Sequence, residues 1–131
     1  MAWTFGSSSP LYVQIADRIR SNIVCGVYAK REKLPAVREL ALEASVNPNT
    51  MQRAFTCLEN EGLVITAGTM GRFVTDDDRV IQEAREKMAS MFVEDFAEKI
   101  TRLGYSLAEA ARFVEDYNTL KEETAHGISN S

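Results

Sequence analysis

The chain has 131 residues, 45% of them apolar and 26% charged, with a formal net charge of −4. That is enough for one ordinary domain, or for a small domain plus an appendage, and too little to hold a large catalytic domain as well. No apolar run is long enough to cross a membrane and no signal-peptide pattern is visible. Cys25 and Cys57 lack the CxxC or Cys/His spacing of a zinc site, so the expectation is a cytoplasmic protein with reduced, partly buried thiols and no metal or other cofactor.

Residues 1–9 are a polar arm in which Trp3 and Phe5 are the sizeable anchors, expected to pack on the domain or on a partner subunit. Ser9 can cap a first helix with Pro10 at its first position. Leu11, Ile15, Ile19 and Ile23 form the buried stripe, Gly26 ends it, and Arg18 and Arg20 lie on the more polar side. A charged loop follows, in which Lys33-Leu34 is a candidate strand. Pro35 then introduces a second helix, Val37–Ala44, with Val37, Leu40 and Ala41 inward and Arg38, Glu39 and Glu43 outward. Ser45-Val46 is a short turn, with Val46 as its buried pin.

The stretch from Asn47 to Gly62 is the most informative in the chain. Asn47 is a good N-cap, Pro48 suits the first helical position, and Gly62 can supply a left-handed C-terminal cap. Met51, Ala54, Phe55 and Leu58 make one apolar face. The opposite face of the first turns offers Asn49, Thr50, Gln52 and Arg53, groups that can donate to phosphates and base edges, with no carboxylate among them. Such a face also serves solubility alone; the neighbouring elements favour DNA reading. Two short runs, Leu63–Thr66 and Arg72–Thr75, flank a small tip, with Leu63 and Ile65 on one face and Phe73 on the returning strand. Helix, helix, hairpin is a winged helix-turn-helix pattern. Gly71 and Arg72 at the base of the tip are placed to enter a minor groove or touch phosphate.

From Asp76 the composition changes. Asp76-Asp77-Asp78 reads as the acidic start of a helix running to about Leu103, in preference to a metal site. Ile81, Ala84, Met88, Phe92, Phe96, Ile100 and Leu103 form a stripe longer than a small domain can cover. Gly104 closes that helix, and Ser106-Leu107-Ala108-Glu109 is a capping box opening another, with Leu107, Ala110, Ala111, Val114, Tyr117 and Leu120 inward. Two helices with apolar faces read as a dimerisation hairpin, followed after Lys121 by a tail that should fray, its lone His126 no ligand set. The expected fold is therefore mainly α with a small β hairpin: a winged helix-turn-helix over residues 1–75 and a helical dimerisation region over 76–131. Charge divides in the same place. Residues 1–75 carry eight Lys and Arg against six Asp and Glu, and residues 76–131 carry seven against thirteen. The weakly basic half should meet phosphate and the acidic half turn from it, and such modest basicity implies a dimer.

These residues resemble a known pattern. Pro10-Leu11-Tyr12, Gln14-Ile15, Gly26, Leu34-Pro35, Val37-Arg38-Glu39-Leu40-Ala41, Val46-Asn47-Pro48-Asn49-Thr50, Arg53-Ala54, Leu58-Glu59, Glu61-Gly62-Leu63 and Gly71-Arg72-Phe73-Val74 are similar to the GntR family of bacterial transcription regulators, in its short YtrA-like branch. The resemblance implies that Arg38 contacts phosphate or guanine and that Asn47, Pro48, Asn49, Thr50, Gln52 and Arg53 line the groove. It implies a homodimeric repressor on an inverted repeat of double-stranded DNA, with a transporter operon as the implied target. The chain departs from the pattern at Ala36, where Ser is common, at Lys30-Arg31-Glu32, where Pro-Gly-Asp is usual, and at Thr69-Met70, where relatives have a more basic tip. The rival reading is a winged helix for protein or RNA contacts. No Ser/His/Asp, Cys/His or paired-carboxylate constellation suggests an enzyme. For a small-molecule effector the sole candidate place is the seam of the C-terminal helices, near Met88, Phe92, Phe96 and Tyr117, which reads better as plain core.

Overall fold

The computed structural model describes residues 3–129, and side chains to Ala125. In order the elements are α1 (Leu11–Val24), α2 (Val37–Ala44), α3 (Pro48–Asn60), β1 (Val64–Thr66), a 3-10 turn (Gly68–Met70), β2 (Arg72–Val74), α4 (Asp78–Arg102) and α5 (Leu107–Ser129). The chain divides between Glu86 and Lys87 into two compact units.

In the N-terminal unit the apolar stripes of three helices close on one another. Ile15, Ile19, Leu40, Met51, Phe55 and Leu58 are buried to 1% exposure or less, with Leu63, Val64 and Val74 beneath them from the hairpin. Trp3, Phe5, Val37 and Val46 pack against this cluster as expected. Leu11 does not join it: it is more than a third exposed, one turn before the stripe meets α3. Pro10, not Ser9, is the N-cap of α1 and no side chain caps it. The Gln14 carboxamide instead ties down the arm, donating to the Gly6 and Ser9 carbonyls and accepting from the Gly6 amide.

The boundaries of α2 and α3 follow from local chemistry. Asn47 caps α3 through its side-chain oxygen, which accepts from the Asn49 amide at 2.8 Å. At its far end the Leu63 amide donates to the Leu58 carbonyl and Gly62 to Glu59, a Schellman closure with Gly62 at φ +80°. The same closure ends α2, where Val46 donates to Ala41 and Ser45 to Leu42. Here Ser45 takes the left-handed position, at φ 57°. It makes the sharp turn that delivers α3 across α2.

The hairpin pairs Val64 with Val74, Ile65 with Phe73 and Thr66 with Arg72. Val64 and Val74 face the core and Ile65, with Phe73 opposite, faces out. A third lane runs along β2: Arg31 donates to Val74, Val74 to Glu32 and Leu34 to Arg72, with Lys33 bridging Phe73. The candidate strand at Lys33-Leu34 is this bridge. To form it Arg31 adopts φ 70°, the conformation that the glycine of the usual Pro-Gly-Asp takes without strain.

Asp77 caps α4 by accepting from the Arg79 amide at 2.9 Å. The first turns of α4 belong to the N-terminal unit. Ile81 is buried in its core, Val80 and Ala84 pack on it, and the Arg85 guanidinium donates to the Val24 carbonyl that ends α1.

In the C-terminal unit Gly104, at φ +95°, follows α4, and Ser106 and Glu109 form the reciprocal capping box at 3.1 Å in each direction. Tyr105 and Phe113 meet edge to face. Helix α5 continues past Lys121 to Ser129. Glu122, Glu123 and Ala125 are good helix formers, and Thr124 donates to the Leu120 carbonyl. The His126 side chain lies outside the described residues.

Candidate nucleic-acid interface

Helix α3 presents two faces of different chemistry. Met51, Ala54, Phe55 and Leu58 are fully buried, whereas Asn47, Pro48, Asn49, Gln52 and Arg53 are exposed and Thr50 is half-buried. The two acidic residues at the far end of the helix are both held by arginines. Glu61 accepts from Arg20 at 2.6 and 2.9 Å, and Glu59 accepts from Arg72 at 2.8 Å. What remains on the outer face is amide, hydroxyl and guanidinium, together with the positive end of the helix dipole. An approaching phosphate or base edge therefore meets donors.

Arg38 lies on the exposed side of α2, and no ion pair engages it among the described residues. Arg53 is differently placed. Its guanidinium lies over the ring of Tyr12, 3.8 Å from the centroid. Such an exposed stack stabilises one rotamer by about 0.5–1 kcal/mol and leaves the N–H groups at the rim able to donate. Pro10, Leu11 and Tyr12 of the α1 start and Asn49, Thr50 and Arg53 of α3 line one open cleft. This explains the exposure of Leu11. In the sequence the α1 start is a motif without a role, because a Tyr ring facing an Arg across 41 positions leaves no local signal.

The wing differs from the sequence expectation in one respect. Gly71 and Arg72 do sit at the base of the tip, but the Arg72 guanidinium turns inward. It binds Glu59, donates to the Gln52 Oε1 at 3.1 Å and lies 5.5 Å from the Phe55 ring centroid. Gln52 and Arg72, each expected to contact DNA from a different element, are bonded to each other.

The expected dimer residues fall into two groups. Ile81 and Ala84 are taken up by the N-terminal core. Phe92, Leu103, Leu107, Val114 and Tyr117 are each more than half exposed, Phe96 somewhat less, while Met88 and Ile100 are half-buried. Cys57 is half-buried but Cys25, which caps the end of α1, is exposed; both are free thiols. Away from α3's outer face, burial lowers and the carboxylates of Glu61 and Asp17 more strongly raise the pKa of Arg20, a net rise that keeps this strut charged. Tyr28 is raised by burial and by Glu43 and Glu32.

A short second helix, a sharp turn, a capped helix with a donor-rich outer face and a three-lane wing define a winged helix-turn-helix. The family described as "Bacterial regulatory proteins, gntR family" matches residues 11–74. Over 113 residues the chain is 34% identical to the uncharacterized HTH-type transcriptional regulator YhcF of Bacillus subtilis, covering 86% of this chain and 93% of that one. It is 28% identical over 124 residues to the HTH-type transcriptional repressor YtrA of the same organism, covering 95% and 94%. Among solved structures, a GntR family transcriptional regulator from Listeria monocytogenes is 35% identical, with a TM-score of 0.78 over 86% of this chain and 98% of that one. The AraR DNA-binding domain in complex with operator ORX1 matches 57% of this chain and 95% of its own, at 28% identity and a TM-score of 0.52. The chain belongs to the GntR family of transcriptional regulators, in its YtrA-like branch.

Proposed function

We propose that the protein is a cytoplasmic, homodimeric repressor that binds an inverted-repeat operator, one α3 entering the major groove of each half-site. The observation that carries this reading is the outer face of α3, from which both carboxylates have been withdrawn into arginine pairs. Asn49, Thr50 and Gln52 then face base edges, while Arg38, Arg53 and the capped start of α3 position the helix on phosphate. The operator complex of the AraR domain supports DNA as the ligand, and the name of YtrA supports repression.

Dimerisation is assigned to residues 87–121, where α4 and α5 carry large apolar side chains that their own unit leaves exposed. Two copies supply the affinity that a half-site contact by a weakly basic domain lacks. No helix is long and apolar enough to cross a membrane, among the described residues.

Selection from a pool of random duplexes with the full-length chain tests the reading. An enriched inverted repeat, bound with affinity that falls steeply with salt, is the expected result. No enrichment, or displacement of the duplex by equimolar RNA, contradicts it.

A further inference from the structure

We propose that Arg72 is not a DNA contact but a positioning residue that fixes the Gln52 carboxamide and thereby decides which base Gln52 reads. This rests on the DNA-binding reading above. The backbone of Arg72 is pinned on both sides: it pairs with Thr66 of β1, and its carbonyl accepts from Leu34 in the third lane at 2.9 Å. Gly71, just before it at φ +116°, passes so close to Lys33 that a Cβ there would stand 3.0 Å from the Lys33 Cε. The side chain, only 26% exposed, is directed back over Phe55 towards α3. There Glu59 takes its Nε and Gln52 takes its Nη2.

A guanidinium has donors and no acceptor, so the atom of Gln52 that faces it must be Oε1. Turning the amide over would set N–H against N–H. An unrestrained Gln can present either end to a base, but this one is held with its amino group outward, and Nε2 makes no hydrogen bond among the described residues. Reading adenine needs Oε1 to accept from the N6 amino group while Nε2 donates to N7. Here one lone pair of Oε1 is already taken by Arg72, so the adenine amino group would have to share that oxygen with the guanidinium. Guanine offers O6 and N7, both acceptors, which suit the free Nε2. Gln52 in this setting selects guanine over adenine. Glu59 neutralises Arg72 at the same time, so Arg72 adds little to the attraction of phosphate.

The test compares the full-length wild type with Arg72→Ala, Gln52→Ala and the double variant, each by duplex selection and by binding to the wild-type site at several salt concentrations. Expected is guanine at the base pair in each half-site that depends on Gln52. In Arg72→Ala that preference should fall by about fivefold or more, or move to adenine. The salt slope should stay unchanged, and Arg72→Ala should cause no further change in base preference once Gln52 is gone. Were Arg72 bound to phosphate in both subunits, its removal would instead make the slope shallower by nearly two units, at about 0.9 per counterion. That result, additive effects on base preference in the double variant, or adenine in the wild-type profile would each overturn the proposal. Glu59→Gln with Arg72→Met removes the clamp without stranding a carboxylate. It should reproduce the Arg72→Ala profile at a wild-type melting temperature, and a guanine preference kept by this folded variant overturns the proposal. If the wild type enriches no sequence, the DNA-binding reading fails and this inference with it; an enriched site with an unchanged Arg72→Ala profile defeats the inference alone.

Discussion

In the unit up to Glu86 the apolar stripe of every helix closes on a neighbour from the same chain, whereas in the unit from Lys87 the stripes of α4 and α5 stay open. Phe55, Ile15 and Leu58 are fully buried in the first; in the second Ala110 is the sole buried apolar residue, among the described residues. Both regions follow the same helical periodicity, so periodicity tells that a face must be covered and not by what. A self-sufficient core suits a unit that must present α3 rigidly. An open one leaves α4 and α5 free for the second copy proposed above.

Ending the chain at Glu86 is the harshest way to break this division. That fragment keeps the whole N-terminal core, including Ile81, and should melt cooperatively while losing specific duplex affinity by about a hundredfold or more, because avidity is lost. Thermal melting and titration of the selected site check both halves. Retained affinity would mean that one copy suffices.

Ile81→Ala sharpens the comparison from the other side. The side chain is buried in the N-terminal core, so about 2–5 kcal/mol of that unit's stability should go, lowering its melting temperature by roughly 10 °C or more, with subunit number unchanged. Sedimentation together with melting reads the two effects separately. Loss of assembly without loss of stability would return Ile81 to the seam.

Within the N-terminal unit and at the α4–α5 turn, the legible features are those settled by residues close in sequence. Asn47-Pro48 starts α3, Gly62 stops it, and Ser106 with Glu109 opens α5, each through bonds spanning a few positions. Ile81 and Ala84 read in the sequence as part of the dimer stripe because a continuous helix carries one stripe from the N-terminal core on to an open face. The Tyr12–Arg53 stack and the Arg72 clamp join elements far apart in the chain. Nothing local to Arg72 says whether it turns out to phosphate or in to Glu59.

The reading face itself can be probed by smaller changes. Tyr12→Leu should weaken binding to the selected site about three- to fivefold by freeing Arg53, while Tyr12→Phe, which keeps the ring face, should bind as the wild type. Equal losses in both would point to the hydroxyl instead. Smaller again are the backbone effects: Ser45→Gly and Arg31→Gly each remove a side chain from a left-handed position, at φ 57° and 70°. Each should raise the stability of the N-terminal unit by about 0.5–1 kcal/mol in urea titration. A destabilised variant would show that the side chain outweighs the strain.

Light scattering at micromolar concentration, on the full-length chain and on the fragment ending at Glu86, bears most directly on the division of labour between the units. The account predicts a dimer for the first and a folded monomer for the second. A full-length monomer, or a fragment that dimerises, would contradict it.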